Sequence, residues 1–179
     1  AIPAVLHGAA IYGANASGKS NFAKAFSTFK WLVINSMKEI QAGETLNVES
    51  FMLNAATAKE PSAFEIVFCN TAYIFRYGFE VDSKKVHKEW LYRRNNKKRA
   101  KEVELLYREE DTYNVHPSCV IAKNLIANKM VRDNALLVSV AAQFNDETAV
   151  SIVNWLNDTS IITSHDDEIM WKRAAIKLD

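Results

Sequence analysis

Eight consecutive residues combine the residue types that hold phosphate groups in proteins. They follow the pattern GxxxxGK[ST] and are Gly13, Ala14, Asn15, Ala16, Ser17, Gly18, Lys19 and Ser20. Glycines let the backbone curl so that successive N–H groups point at one anion. A lysine at the end of this pattern reaches the β- and γ-phosphates, and the following hydroxyl ligates Mg²⁺. The pattern therefore predicts a phosphate-binding loop (P-loop) for ATP, with Lys19 on the phosphates and Ser20 as the magnesium ligand.

The residues on either side of the loop predict the elements that would position it. Residues 5–12 predict a short buried strand that ends at Gly13. Residues 18–40 predict a helix because apolar side chains recur at spacings of three and four. The positive end of that helix dipole would face the phosphates. Adenine is favoured over guanine as the base because the chain lacks an Asn-Lys-x-Asp motif. The apolar face of the helix comprises Phe22, Phe26, Phe29, Val33 and Met37.

The middle of the chain predicts an antiparallel β meander. Apolar and polar residues alternate over 73–81, and strands are also predicted at 64–68, 86–93 and 103–108, with Asn95 and Asn96 in a turn. Helices are predicted at 135–144, 149–156 and 168–178, and a short strand at 161–163. The predicted fold is therefore α/β, with a P-loop unit (1–45), a β part (46–115) and a helical part (116–179). Simple P-loop kinases and small GTPases instead alternate strands and helices.

Residues 11–21, with the sequence IYGANASGKSN, resemble the Walker A segment of the ABC-type ATPase superfamily. More narrowly, they resemble the AAA-type, OLD-like ATPases of prokaryotic defence and abortive-infection systems, relatives of the SMC and RecF heads. Residues 63–68, 77–81 and 134–145 are also similar to that group, so the resemblance covers about 11–156. It implies the N-terminal lobe of an ABC-type ATPase head, a homodimer or larger oligomer that binds ATP, and an attached effector such as a nuclease.

The resemblance also implies catalytic parts that this sequence does not supply clearly. A Walker B motif needs an apolar strand directly before Asp-Glu, and neither Asp146-Glu147 nor Asp166-Asp167-Glu168 has one. A signature turn needs glycine, and the last glycine of the chain is Gly78. Gln143 is a candidate for the family glutamine near the γ-phosphate. We therefore expect ATP hydrolysis to need a further part of the ATPase, with the catalytic residues unknown in this chain.

Composition and charge bear on the partners and the cellular location of the chain. The net charge of +1 gives no general attraction to nucleic acid, but residues 93–101 concentrate positive charge at a hairpin tip. Such a tip either contacts nucleic-acid phosphates or is a solvated turn whose charges keep a strand edge from pairing with other chains. The two cysteines form no disulfide framework, which favours the cytoplasm, and no apolar run is long enough for a membrane.

Two other functions remain open from the sequence. One is a scaffold that holds ATP without turnover, and the other is a P-loop kinase. An intact Lys19 and Ser20 are needed for binding alone as well as for hydrolysis, so they do not separate these functions. In the absence of phosphate, we expect the Lys19 side chain to point into solvent.

Overall fold

The structure is a computed structural model that describes residues 8–46, 48, 60–97 and 99–163. Within these residues a helix, an antiparallel sheet and three further helices follow one another. The helices are α1 (Lys19–Asn35), α2 (Val120–Ala127), α3 (Leu137–Gln143) and α4 (Glu147–Asp158). The strands are β1 (Ser62–Cys69), β2 (Tyr73–Val81), β3 (Val86–Asn95), β4 (Val103–Glu109) and β5 (Thr112–Val115).

The sheet of the described residues has five strands in the order β1-β2-β3-β4-β5, and every neighbouring pair is antiparallel. The predicted meander is confirmed. Alternate residues of β2 face the core, where Phe75, Tyr77 and Phe79 are buried. This arrangement follows from the period of two, because successive side chains of a strand point to opposite faces.

Helix α1 packs its second half against the inner face of the sheet. The ring of Phe29 stacks on Phe79 at 5.1 Å between ring centroids, and Leu32 and Val33 are buried beside it. The helix ends at Asn35, earlier than residue 40, and the backbone carbonyl of Met37 in the following turn accepts a hydrogen bond from Arg132. Phe22, predicted on the apolar face, is exposed, whereas the buried residues of α1 are Phe29, Leu32 and Val33.

Several elements of the structure differ from those that the sequence predicts. Residues 8–12 are exposed and form no strand, since no described strand pairs with them; residues 5–7 lie outside the described residues. Residues 161–163 also form no strand. The predicted helix at 168–178 lies outside the described residues, whereas α2 and β5 were not predicted. No helix in the described ranges is long and apolar enough to cross a membrane.

A buried carboxylate holds the start of α3 on the sheet. Glu89 of β3 is fully buried and accepts hydrogen bonds from the backbone N–H of Leu137 at 2.6 Å and of Val138 at 3.0 Å. The hydroxyl of Tyr77 donates to the same carboxylate at 2.9 Å. Burial raises the pKa of Glu89, and the charge of Arg108 and these hydrogen bonds oppose that shift. Glu89 therefore takes the place of a side-chain cap on α3.

Arg108 lies opposite Glu89 on β4 and holds the backbone just before α3. Its side chain is buried, and it donates to the carbonyl of Ala135 at 2.8 Å and to the carbonyl of Asp133 at 3.4 Å. The carboxylate of Glu89 thus binds N–H groups of the first turn of α3, while the guanidinium of Arg108 binds carbonyls of the residues directly before α3. We call Glu89 and Arg108 the buried clamp.

The residues directly before α3, which the buried clamp holds, also bond residues at and after the end of α1. The amide of Asn134 donates to the carbonyl of Gln41 at 2.8 Å, and the backbone N–H of Leu136 donates to the Ser36 hydroxyl at 3.4 Å. The helix that follows the P-loop is therefore tied at its far end to the start of α3.

A histidine between two carboxylates joins two turns of the sheet. The ring of His87 lies 2.9 Å from Asp82 on one side and 2.9 Å from Glu110 on the other. Burial lowers the pKa of His87, but these hydrogen bonds outweigh it and raise the pKa above its usual value. Burial raises the pKa of Asp82, but hydrogen bonds from His87 and from backbone N–H groups outweigh this effect and lower it. Hydrogen bonds from Lys85 and His87 lower the pKa of Glu110.

The raised pKa of His87 predicts a loss of stability at alkaline pH. The contribution of His87 to the free energy of unfolding is complete below the unfolded pKa of about 6.5. It disappears as pH rises through the higher pKa of the folded state. Asp82 and Glu110 act in the opposite direction, because their contribution to stability is lost as pH falls through their lowered pKa values. We expect the decrease in melting temperature between about pH 6 and about pH 9 to be smaller in His87→Gln than in the wild type. His116→Gln is the control, because that ring bonds the Ser118 hydroxyl; equal pH dependence in all three proteins would contradict the assignment.

Candidate nucleotide-binding site

The residues of the predicted P-loop form a tight curl before α1. Gly18 has φ of 90° and Ala16 has φ of 62°, both in the left-handed region, and the N–H of Ser17 bonds the carbonyl of Ala14 at 3.3 Å. A Cβ atom on Gly13 would lie 2.8 Å from the Ser17 hydroxyl, which would then have to turn away. Gly18 thus occupies a position that strongly favours glycine.

The first turn of α1 is available to an anion. The first N–H groups of a helix have no partner within the helix. At α3 they bond Glu89, and at α4 the side chain of Asp146 accepts from the N–H of Ala149 at 3.0 Å. The N-terminus of α1 has no side-chain cap, and α2 lacks one as well. What distinguishes α1 is the exposed curl of residues 13–18 directly before it, which brings further backbone to the same end.

Lys19 lies across the loop instead of pointing freely into solvent, which corrects the sequence expectation. Its ammonium group donates to the carbonyl of Gly13 at 2.7 Å and to the carbonyl of Ala14 at 2.6 Å. A lysine has three N–H donors, so one remains for another acceptor. The two carbonyls therefore hold the positive charge of Lys19 against the loop.

Ser20 is suited to magnesium by its place and exposure. It is the second residue of α1, directly after Lys19, and it is exposed. A hydroxyl oxygen is a ligand that Mg²⁺ accepts, usually beside phosphate oxygens and water. The residues present therefore fit both an anion in the curl and a cation beside Ser20.

Apolar side chains beside the loop are uncovered. Tyr12 is 90% exposed, Ile11 is 56% exposed and Phe22 is 60% exposed. Exposed apolar patches on a protein often mark a surface where another protein part packs. Among the described residues, nothing covers this side of the P-loop.

The other candidate site residues are at the helical end of the described chain. Gln143 is the last residue of α3 and is exposed, and the hydrogen bonds of the described residues do not join it to residues 13–20. Asp146 is engaged as the cap of α4, and Glu147 begins that helix, so neither follows a buried strand. The acids at 166–168 lie outside the described residues. Within the described ranges, no group of three His, Cys, Asp or Glu side chains could hold a metal ion.

Sequence reasoning missed the buried clamp, although a signal was present. Glu89 has the same strand parity as Leu91, and Arg108 has the same parity as Leu106, so alternation places both charges on the apolar face. A charge at such a position must find partners in the core.

Comparison with known proteins identifies the family. No curated protein and no solved structure matches the chain significantly. A family model matches residues 9–118, which is more than half of the chain and includes the P-loop, α1 and the whole described sheet. The chain therefore belongs to the family described as "AAA domain, putative AbiEii toxin, Type IV TA system".

Proposed function

We propose that this chain is the ATP-binding part of an OLD-like ATPase head of the ABC superfamily. The observation that carries the proposal is the curl of residues 13–18, which places Lys19 beside the open end of α1. ATP is the substrate in this proposal. The backbone of the loop and the first turn of α1 would bind its phosphates, and Lys19 would lie against the outer ones. Ser20 would hold Mg²⁺, which neutralises charge on the β- and γ-phosphates.

Hydrolysis in this proposal requires groups beyond those described. Phosphoryl transfer depends on positioning the attacking water and on neutralising charge from several sides. The described residues offer Lys19 and Ser20 on one side, whereas Asp146 is occupied as a helix cap. The uncovered Tyr12, Ile11 and Phe22 mark a face against which a further part of the ATPase would pack. That part would bring the catalytic acids to the loop.

The family description supports a role in toxin or defence systems. The matching family is described as a putative AbiEii toxin of a Type IV TA system. We propose a cytoplasmic antiphage or abortive-infection ATPase that works as a homodimer or larger oligomer, with an effector such as a nuclease. In that assembly Gln143 would approach the γ-phosphate of a bound nucleotide.

A scaffold that binds ATP without turnover is the second candidate. It is favoured by one observation, the hydrogen bond from the N–H of Ala149 to Asp146, which commits one of the candidate Walker B acids to capping α4. The P-loop kinase has no comparable support, because the described strands form an antiparallel meander.

Phosphate release separates the ATPase from the scaffold. We expect the 179-residue chain alone to release phosphate from ATP·Mg²⁺ at the background rate of Lys19→Ala. Together with the further part of the ATPase that supplies the catalytic acids in this proposal, the chain should release phosphate well above that background. The same assembly with Lys19→Ala should not, because the loop is then incomplete.

The outcomes are distinct. Turnover by the 179 residues that Lys19→Ala abolishes would contradict the need for further groups. An assembly of the chain with that further part that binds ATP but never releases phosphate would favour the scaffold.

A further inference from the structure

We propose that the tip of the β3–β4 hairpin, residues 93–101, contacts the phosphate backbone of nucleic acid. We call this segment the basic tip. It holds six of the 22 lysines and arginines of the chain and none of the 21 acidic residues. Outside the basic tip the acidic residues outnumber the basic ones, so the overall charge of +1 does not show how strongly positive the tip is. The six are Arg93, Arg94, Lys97, Lys98, Arg99 and Lys101.

Three of the five described cations of the basic tip are exposed and have no partner among the described residues. Lys97, Arg99 and Lys101 are exposed, and their side chains make no hydrogen bond or ion pair with the described residues. The next acid along the chain, Glu102, is already bonded to Arg76 at 2.8 Å. Glu102 also interacts with the charge of Arg94, so among the described residues Lys97, Arg99 and Lys101 are the cations of the tip that remain without an ion pair. A positive surface therefore remains open to an external anion.

The described residues of the basic tip make backbone and ring contacts. The N–H of Asn96 bonds the carbonyl of Ala72 at 2.9 Å, and the N–H of Ala100 bonds the carbonyl of Lys97 at 3.2 Å. The guanidinium of Arg93 lies 4.4 Å from the centroid of the Tyr73 ring. A fixed backbone reduces the entropy lost when the side chains bind a partner.

The composition of the tip favours nucleic acid over a lipid surface. Duplex DNA carries about one phosphate per 1.7 Å of its axis, which suits several cations within nine residues. Arginine binds phosphate with two parallel hydrogen bonds. Segments that bind lipid usually add large apolar side chains that enter the interface. The basic tip has none, since Ala100 is its one apolar residue.

The proposal is independent of the nucleotide site and is tested by salt-dependent binding. Fluorescence anisotropy of a labelled 20-base-pair DNA duplex and a 20-nucleotide RNA would be measured across a salt series. Lys97→Ala with Lys101→Ala removes two cations of the tip. Lys38→Ala with Lys84→Ala removes two exposed cations elsewhere and is the matched control. Melting temperatures of all three proteins would verify the fold.

We expect the tip variant to bind more weakly and to flatten the slope of log K against log salt by about 2, since each lost contact to duplex DNA removes about 0.9. The control variant should match the wild type. Equal losses in both variants would show a general charge effect and overturn the proposal. So would the absence of wild-type binding at low salt. Vesicles of anionic lipid that bind through the tip while nucleic acid does not would also overturn it, in favour of a membrane surface.

Discussion

Glu89→Ala is expected to lower the free energy of unfolding by about 3–5 kcal/mol, the range typical for breaking a buried charged network. The change removes the acceptor of three hydrogen bonds, from Leu137, Val138 and Tyr77. Those donors would remain buried, and each unsatisfied group costs about 1–3 kcal/mol. It also leaves the buried Arg108 without its opposite charge. Urea unfolding followed by circular dichroism measures the loss.

Glu80→Ala is the matched control for this prediction. Glu80 lies on β2 with its side chain on the outer face, where it pairs with Lys88 at 3.2 Å and is partly exposed. Half-exposed ion pairs contribute about 0–1 kcal/mol, so this variant should stay near the wild type. If Glu89→Ala fails to fold, Glu89→Gln keeps the side-chain volume and should show a smaller loss of the same sign. Equal stability of Glu89→Ala and Glu80→Ala would contradict the clamp.

The local elements were predictable because their patterns follow directly from local geometry. Phe75, Tyr77 and Phe79 alternate as a half-buried strand requires, and the structure confirms their burial. Phe29 and Val33 lie on the packed face of α1 as their spacing predicts. The predicted loop of residues 13–20 likewise precedes a helix.

What depends on distant partners could not be read from the sequence. The strand expected at 5–12 needs a neighbouring strand, and residues 8–12 find none among the described strands. Helix α2 has eight residues, too few for a clear period of 3.6. Strand β5 has four. The bonds from Lys19 to two loop carbonyls depend on the curl itself, which the types of residues 13–18 do not specify in detail.

Lys19→Ala is expected to weaken ATP·Mg²⁺ binding by about 10- to 150-fold. A hydrogen bond to a charged group contributes about 1.5–3 kcal/mol, and 1.4 kcal/mol is a tenfold change in affinity. The variant also loses the bonds that hold the ammonium against Gly13 and Ala14. Since these bonds lie in an exposed loop, we expect the melting temperature to change little.

Isothermal titration of ATP·Mg²⁺ into the 179-residue chain tests the central claim most directly. Wild type and Lys38→Ala, which removes an exposed lysine beyond the end of α1, should bind with equal affinity. Lys19→Ala should lose most of that affinity while its circular dichroism spectrum stays unchanged. Equal affinities of Lys19→Ala and Lys38→Ala, or no binding by the folded wild type, would contradict the assignment of residues 13–20 as a nucleotide site.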